Sequence, residues 1–136
     1  MYSDLYISDE KKILNTYLVR VYNLDLAESK VSQDFLNSNL NNIISLKLWR
    51  EQLREMIPEG PSKYLDEIIS NFNQLTLLGA LGFGIPCYML LRRSAENLLA
   101  FLYYIDHPIE YYKKQNPDET RNHNKIGDLQ IYIEEY

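Results

Sequence analysis

The run Leu90-Leu91-Arg92-Arg93-Ser94-Ala95-Glu96-Asn97-Leu98-Leu99-Ala100-Phe101-Leu102-Tyr103-Tyr104-Ile105-Asp106-His107-Pro108 sets two arginines, a glutamate, an asparagine and a histidine among apolar residues. These residue types suit phosphate binding and proton transfer. A guanidinium holds an anion through paired N–H donors, and an imidazole gains or loses a proton near neutral pH. Polar groups buried in such a run must meet partners or a ligand, because each one left unpaired costs about 1–3 kcal/mol. On a helix turning about 100° per residue, Arg93, Glu96, Asn97, Ala100, Tyr104 and His107 share one face. Leu91, Ala95, Leu98, Leu99 and Leu102 cover much of the remainder. The candidate binding residues are therefore Arg92, Arg93, Glu96, Asn97, Tyr104 and His107, with His107, Arg93 and Glu96 the candidates for catalysis.

Two chemistries compete for this face. In the structural one, Arg93 and Glu96 pair, while Asn97 and Tyr104 hydrogen-bond to a neighbouring helix. In the catalytic one, an arginine binds phosphate and His107 moves a proton. Charged residues facing helices are usually satisfied pairs, which favours the first. Asp106, His107 and Glu110 offer oxygen and nitrogen donors, but no second spaced histidine cluster or cysteine partner accompanies them, so no metal and no other cofactor is expected. A histidine at a helix C-terminus also has a sufficient reason there in the helix dipole. Gly79-x-x-Gly82-x-Gly84 lacks a preceding strand and a P-loop lysine, so it does not read as a phosphate loop. Lys113, Lys114, Arg121 and Lys125 with Tyr111 and Tyr112 form a small basic–aromatic set suited to single-stranded RNA, yet acids interleave with it and a solvated surface is the simpler reading. His123 reads as exposed.

Helices must position these residues. Ser8-Asp9 before Glu10 reads as a helix start, and Ile13, Leu14, Tyr17, Leu18, Val21 and Leu24 carry the helical period, giving a first helix over 9–26. After a polar break at Ser29 to Ser32, a second helix runs over 34–57 and is ended by Pro58, Gly60 and Pro61. Pro61-Ser62 opens a third, through Leu78, ended by glycines 79, 82 and 84. Pro86 suits the first turn of a fourth, over 86–105, which Asp106-His107-Pro108 stops. A short turn of helix follows over 109–115, then a polar loop and tail over 116–136. The expected fold is all-α, an antiparallel four- to five-helix bundle forming a single domain over 1–136.

Composition agrees. A chain of 136 residues with 46% hydrophobic and 24% charged residues fits one globular domain. Its net charge of −5 disfavours a whole surface gripping nucleic acid, and no DNA-specific signal is present. The single Cys87 precludes an internal disulfide and points to a reducing, cytoplasmic setting. Residues 68–91 carry no charge, but three glycines and Pro86 interrupt their apolar part, so a buried turn between core helices is expected rather than a membrane span.

Leu77-Leu78-Gly79, a spacer, Leu90-Leu91-Arg92-Arg93-Ser94-x-Glu96-Asn97 and Tyr103-Tyr104-x-Asp106-His107-Pro108 together resemble a helical hairpin of HEPN-like bacterial proteins. The likeness covers about residues 62–112. It implies a four- to five-helix bundle, frequent homodimers, and ribonuclease or regulatory roles in toxin–antitoxin and antiviral defence systems. The family's ribonucleases carry an arginine followed four to six residues later by a histidine. Here neither His107 nor His123 stands in that relation to an arginine. The resemblance thus implies a compact relative or a piece of a longer chain, acting as a binding or regulatory module with RNA or a protein as partner. The alternatives are a metal-independent ribonuclease using His107 as base and Arg93 for transition-state charge, and a structural dimerisation domain.

Overall fold

A computed structural model describes residues 2–28, 31–57 and 59–115. The break at Ser29 and Lys30, Pro58, the expected loop and tail over 116–136, and with them Arg121, His123 and Lys125, lie outside the described residues. Among the described residues the chain forms five helices: α1 (Tyr2–Tyr22), α2 (Gln33–Leu53), α3 (Glu59–Ala80), α4 (Gly84–Asp106) and α5 (Pro108–Gln115). The all-α bundle read from the sequence is the fold.

Three boundaries differ from expectation, each for a local reason. Ser8 and Asp9 are interior to α1, which starts at Tyr2 with Asp4 in its first turn. Nothing between Tyr2 and Ile7 breaks a helix, so the N-capping potential of Ser8 goes unused. At its other end Asn23 takes a left-handed conformation (φ 52°), and the amides of Asn23 and Leu24 turn back to the carbonyls of Val19 and Leu18. Helix α2 stops at Leu53 rather than Ile57, and Met56 and Ile57 both donate to the Leu53 carbonyl in a closing turn. Pro61 opens α3, as the sequence suggests, and Gly60 joins it there rather than ending α2. Proline lacks only an amide that the first turn leaves unpaired anyway. Gly60 has a packing reason as well, since a Cβ there would run into the ring of Tyr111 from α5.

Ser32 caps α2 by accepting from the Asp34 amide at 3.2 Å. The α3–α4 turn is a Schellman motif: the Gly82 amide reaches the Gly79 carbonyl at 3.0 Å and the Phe83 amide the Leu78 carbonyl at 2.9 Å. Gly82 sits at φ 83°, a conformation that side-chain-bearing residues rarely adopt.

Helix α3 is the spine. It packs most extensively along α4, then along α2, both antiparallel to it, so α2 and α4 run parallel on its two flanks. Leu65 and Ile68 of α3 meet Phe101 of α4, with Leu46 and Leu53 of α2 against them. Across α2 and α3, buried Asn39 donates to the Phe72 carbonyl at 3.0 Å and to the Thr76 hydroxyl, joining two helices by a satisfied polar pair. Helix α1 rests on the start of α2 and the end of α3 through Leu18, Leu36 and Ala80. No described helix is long and apolar enough to cross a membrane.

Candidate functional site

The six residues singled out on α4 separate into three environments. At its N-terminal half, Arg92 pairs with Glu96 at 2.8 Å across one turn, while Arg93 reaches Glu67 of α3 at 3.7 Å. Of the two pairs that the helical spacing allows Glu96, the one with Arg92, four residues before it, forms, and the expected Arg93–Glu96 pair is replaced by Arg93–Glu67. Asn97 Nδ2 also donates to Glu67, at 3.0 Å. Glu67 is the member of this set that the sequence did not reveal, because a helical wheel drawn on α4 contains no information about α3. Nor is the set buried: the Arg92 and Arg93 side chains are 80% and 65% exposed and Glu67 is 51% exposed. Pairs in that setting contribute little, so Glu67→Ala is expected to lower stability by under about 1 kcal/mol in a urea melt. A loss of several kcal/mol would mean that the cluster holds the two helices in register.

Tyr104 lies elsewhere, fully buried in a tyrosine cluster. Its ring stacks on Tyr64 of α3 (centroids 5.8 Å, 13°) and meets Tyr103 and Tyr111 edge-on at 5.3 and 5.4 Å. The Lys114 ammonium of α5 sits 5.4 Å from the Tyr104 centroid and donates to the Tyr64 hydroxyl at 3.4 Å. Burial pushes the Tyr64 phenol above its ordinary value, so the neutral phenol is the form the cluster holds. Of the basic–aromatic set, Tyr111 is therefore buried in this cluster, while Lys114 lies over its rings from the exposed side of α5.

His107 is the C-cap residue of α4. It stacks on Tyr103 (4.6 Å, 9°), and its Nδ1 lies 3.2 Å from the Tyr103 carbonyl oxygen, an acceptor, so that nitrogen carries the hydrogen. Fourteen positions separate it from Arg93, about 21 Å along a helix. Within one chain the two cannot act on the same atom. Among the described residues no group of three or more histidine, cysteine or acidic side chains converges as a metal site would require.

What the structure does present is a groove. Because α2 and α4 flank α3 without meeting along most of their length, a channel of about 500 Å³ runs between them. Ile68 and Phe72 form its floor, Leu46 and Trp49 one wall, Leu91 and Leu98 the other. At one end Trp49 closes onto Phe101 edge-to-face at 5.9 Å. Among the described residues no basic or acidic side chain lines it. Ser94, 5% exposed, sits in its α4 wall, and its hydroxyl has no hydrogen-bond partner among the described residues. A buried hydroxyl left so costs about 1–3 kcal/mol, which an occupant bearing a polar group would offset. Along α4 the exposed apolar side chains continue past the groove to Tyr88 and Leu102. In the sequence these leucines read as the filling around a polar site. In the fold the polar residues border the apolar face, which is the larger feature. Comparison of the chain with family profiles, with curated proteins and with solved structures gives no match.

Proposed function

We propose that the protein is a helical binding module whose α2–α4 groove takes up an apolar helix of a protein partner. The observation that carries this reading is the groove itself: apolar walls on two parallel helices, a third helix as floor, and an unpartnered Ser94 hydroxyl inside. An amphipathic helix laid between two others is a recurring mode of recognition. The apolar surface extends along α4 well past the groove, farther than a small molecule reaches. RNA fits less well, because phosphate contacts need available basic groups and here Arg92 and Arg93 already face carboxylates. The resemblance to HEPN-like bundles supplies a biological setting, a regulatory module of a bacterial or phage conflict system, in which the partner is a protein rather than RNA.

Trp49, the chain's one tryptophan, lines the groove and reports its occupancy. Titration with a synthetic amphipathic helix carrying leucines at its first and fourth heptad positions is expected to shift Trp49 emission to the blue. Single-stranded RNA is expected to leave it unchanged. A response to RNA and none to the peptide would overturn the reading.

A further inference from the structure

Four polar residues are buried among the described residues: Asn39, Asn71, Thr76 and Ser94. Asn39 and Thr76 satisfy each other across α2 and α3. The other two do not. The Ser94 hydroxyl and the Asn71 amide nitrogen have no hydrogen-bond partner among the described residues, although Ser94 is 5% and Asn71 6% exposed. The packing of α3 on α4 brings these two to one level. Leu65 and Ile68 against Phe101 mark one end of the interface, and the Cys87 thiol donating to the Leu75 carbonyl at 3.7 Å marks the other. Asn71 lies three residues after Ile68 and four before Leu75, so it shares their α4-facing side. Ser94 lies seven residues, about two turns, from both Cys87 and Phe101, and so shares their α3-facing side. Both stand beside the groove, which Ser94 lines and whose floor is Ile68 and Phe72.

We propose that Asn71 and Ser94 select the partner: the helix entering the groove carries an uncharged carboxamide, glutamine or asparagine, within its apolar stripe, and that side chain hydrogen-bonds to both. This rests on the groove being a helix-binding surface, and names what the helix must carry. The chemistry narrows to a carboxamide by elimination. Asn71 Nδ2 only donates, so its partner must accept, whereas the Ser94 hydroxyl does either. A carboxamide offers its carbonyl oxygen to the first and an N–H to the second. A carboxylate could accept from both, but among the described residues no basic side chain lines the groove to offset the burial of its charge. An ammonium or guanidinium has no acceptor to offer Asn71. The backbone of a docked helix is committed to its own hydrogen bonds. Rotation about one bond turns the Ser94 hydroxyl toward the groove, and rotation about two turns the Asn71 amide. The contact also sets register. Apolar walls alone accept a leucine stripe at several offsets, and one buried polar contact is met at only one of them.

The Trp49 titration tests this on the full chain, with the heptad peptide made in three forms that carry leucine, glutamine or glutamic acid at the central core position. The glutamine form is expected to bind at least about fivefold more tightly than the leucine form, since it meets polar groups that are already desolvated. The glutamic acid form is expected to bind at least about tenfold more weakly than the glutamine form. Ser94→Ala and Asn71→Leu each abolish the preference for glutamine and keep the affinity for the leucine form. Neither lowers the midpoint of a urea melt, because removing an unmet polar group takes no hydrogen bond from the fold. Equal binding of the leucine and glutamine forms would overturn the carboxamide and leave the groove reading standing, as would a glutamine preference that survives both substitutions. A urea midpoint that falls in both variants would overturn it too, by assigning the two groups to the fold's own hydrogen bonding. No Trp49 response to any of the three forms overturns both readings.

Discussion

Replacing Tyr104 by alanine is expected to cost about 3–5 kcal/mol of folding stability, the range for emptying a large aromatic site in a core. Tyr104 is 1% exposed and is the ring on which Tyr64, Tyr103 and Tyr111 converge, so its removal leaves a cavity where α3, α4 and α5 meet. Edge-to-face and stacked ring pairs add about 0.5–1.5 kcal/mol each beyond area burial, and three such contacts are lost together. Tyr104→Phe keeps the rings and removes only the hydroxyl, an expected loss within about 1.5 kcal/mol. Urea denaturation of the two variants beside Arg93→Ala separates a core tyrosine from a ligand-binding one. The arginine variant is expected to stay within about 1 kcal/mol of the parent because its ion pair is exposed. Comparable losses for Tyr104→Ala and Arg93→Ala would contradict the division of α4 into three environments.

Phe101→Ala is expected to be as costly, about 3–5 kcal/mol, and to have a spectral consequence that Tyr104→Ala lacks. Phe101 is fully buried against Leu65 and Ile68, and its ring is also what Trp49 of α2 meets edge-on. That contact bridges α2 to α4 at the closed end of the groove. Without the ring, Trp49 gains water contact and its emission moves to the red. Phe101→Leu refills most of the volume and is expected to cost under about 1.5 kcal/mol with little spectral change. An unshifted Trp49 in Phe101→Ala would mean that the groove is not closed by this pair.

Helices α3 and α4 were legible to within two residues at each end, because proline and glycine punctuate them: Pro61 in the first turn of α3, Gly82 in the turn, Pro86 in the first turn of α4, Pro108 after it. The start of α1 was not, since Ser8-Asp9 has the chemistry of a cap and local chemistry alone does not say whether the helix has already begun. The candidate site was legible as residues and not as an arrangement. A wheel of α4 groups Arg93, Tyr104 and His107, yet only the packing of α3 and α5 reveals that the first is on the surface, the second in a tyrosine core and the third capping a helix. Glu67, which receives both Arg93 and Asn97, comes from a different helix and leaves no trace in the spacing of α4. The apolar face did leave one. The alternation of three and four from Tyr88 to Ile105 is present in the sequence, one residue out of step with the buried pattern. Two adjacent seams on one helix mean two packing partners, and among the described residues α3 covers one of them.

Leu98→Asp decides whether the exposed apolar face of α4 is a docking surface or part of the monomer's core. Leu98 is 37% exposed and lines the groove. Urea denaturation and the Trp49 peptide titration, run on one sample dilute enough to be monomeric, give both quantities. The predicted result is a stability within about 1 kcal/mol of the parent, as for a surface substitution, together with peptide binding weakened by at least about tenfold. A loss of about 2 kcal/mol or more with peptide binding unchanged would contradict it and return Leu98 to the core.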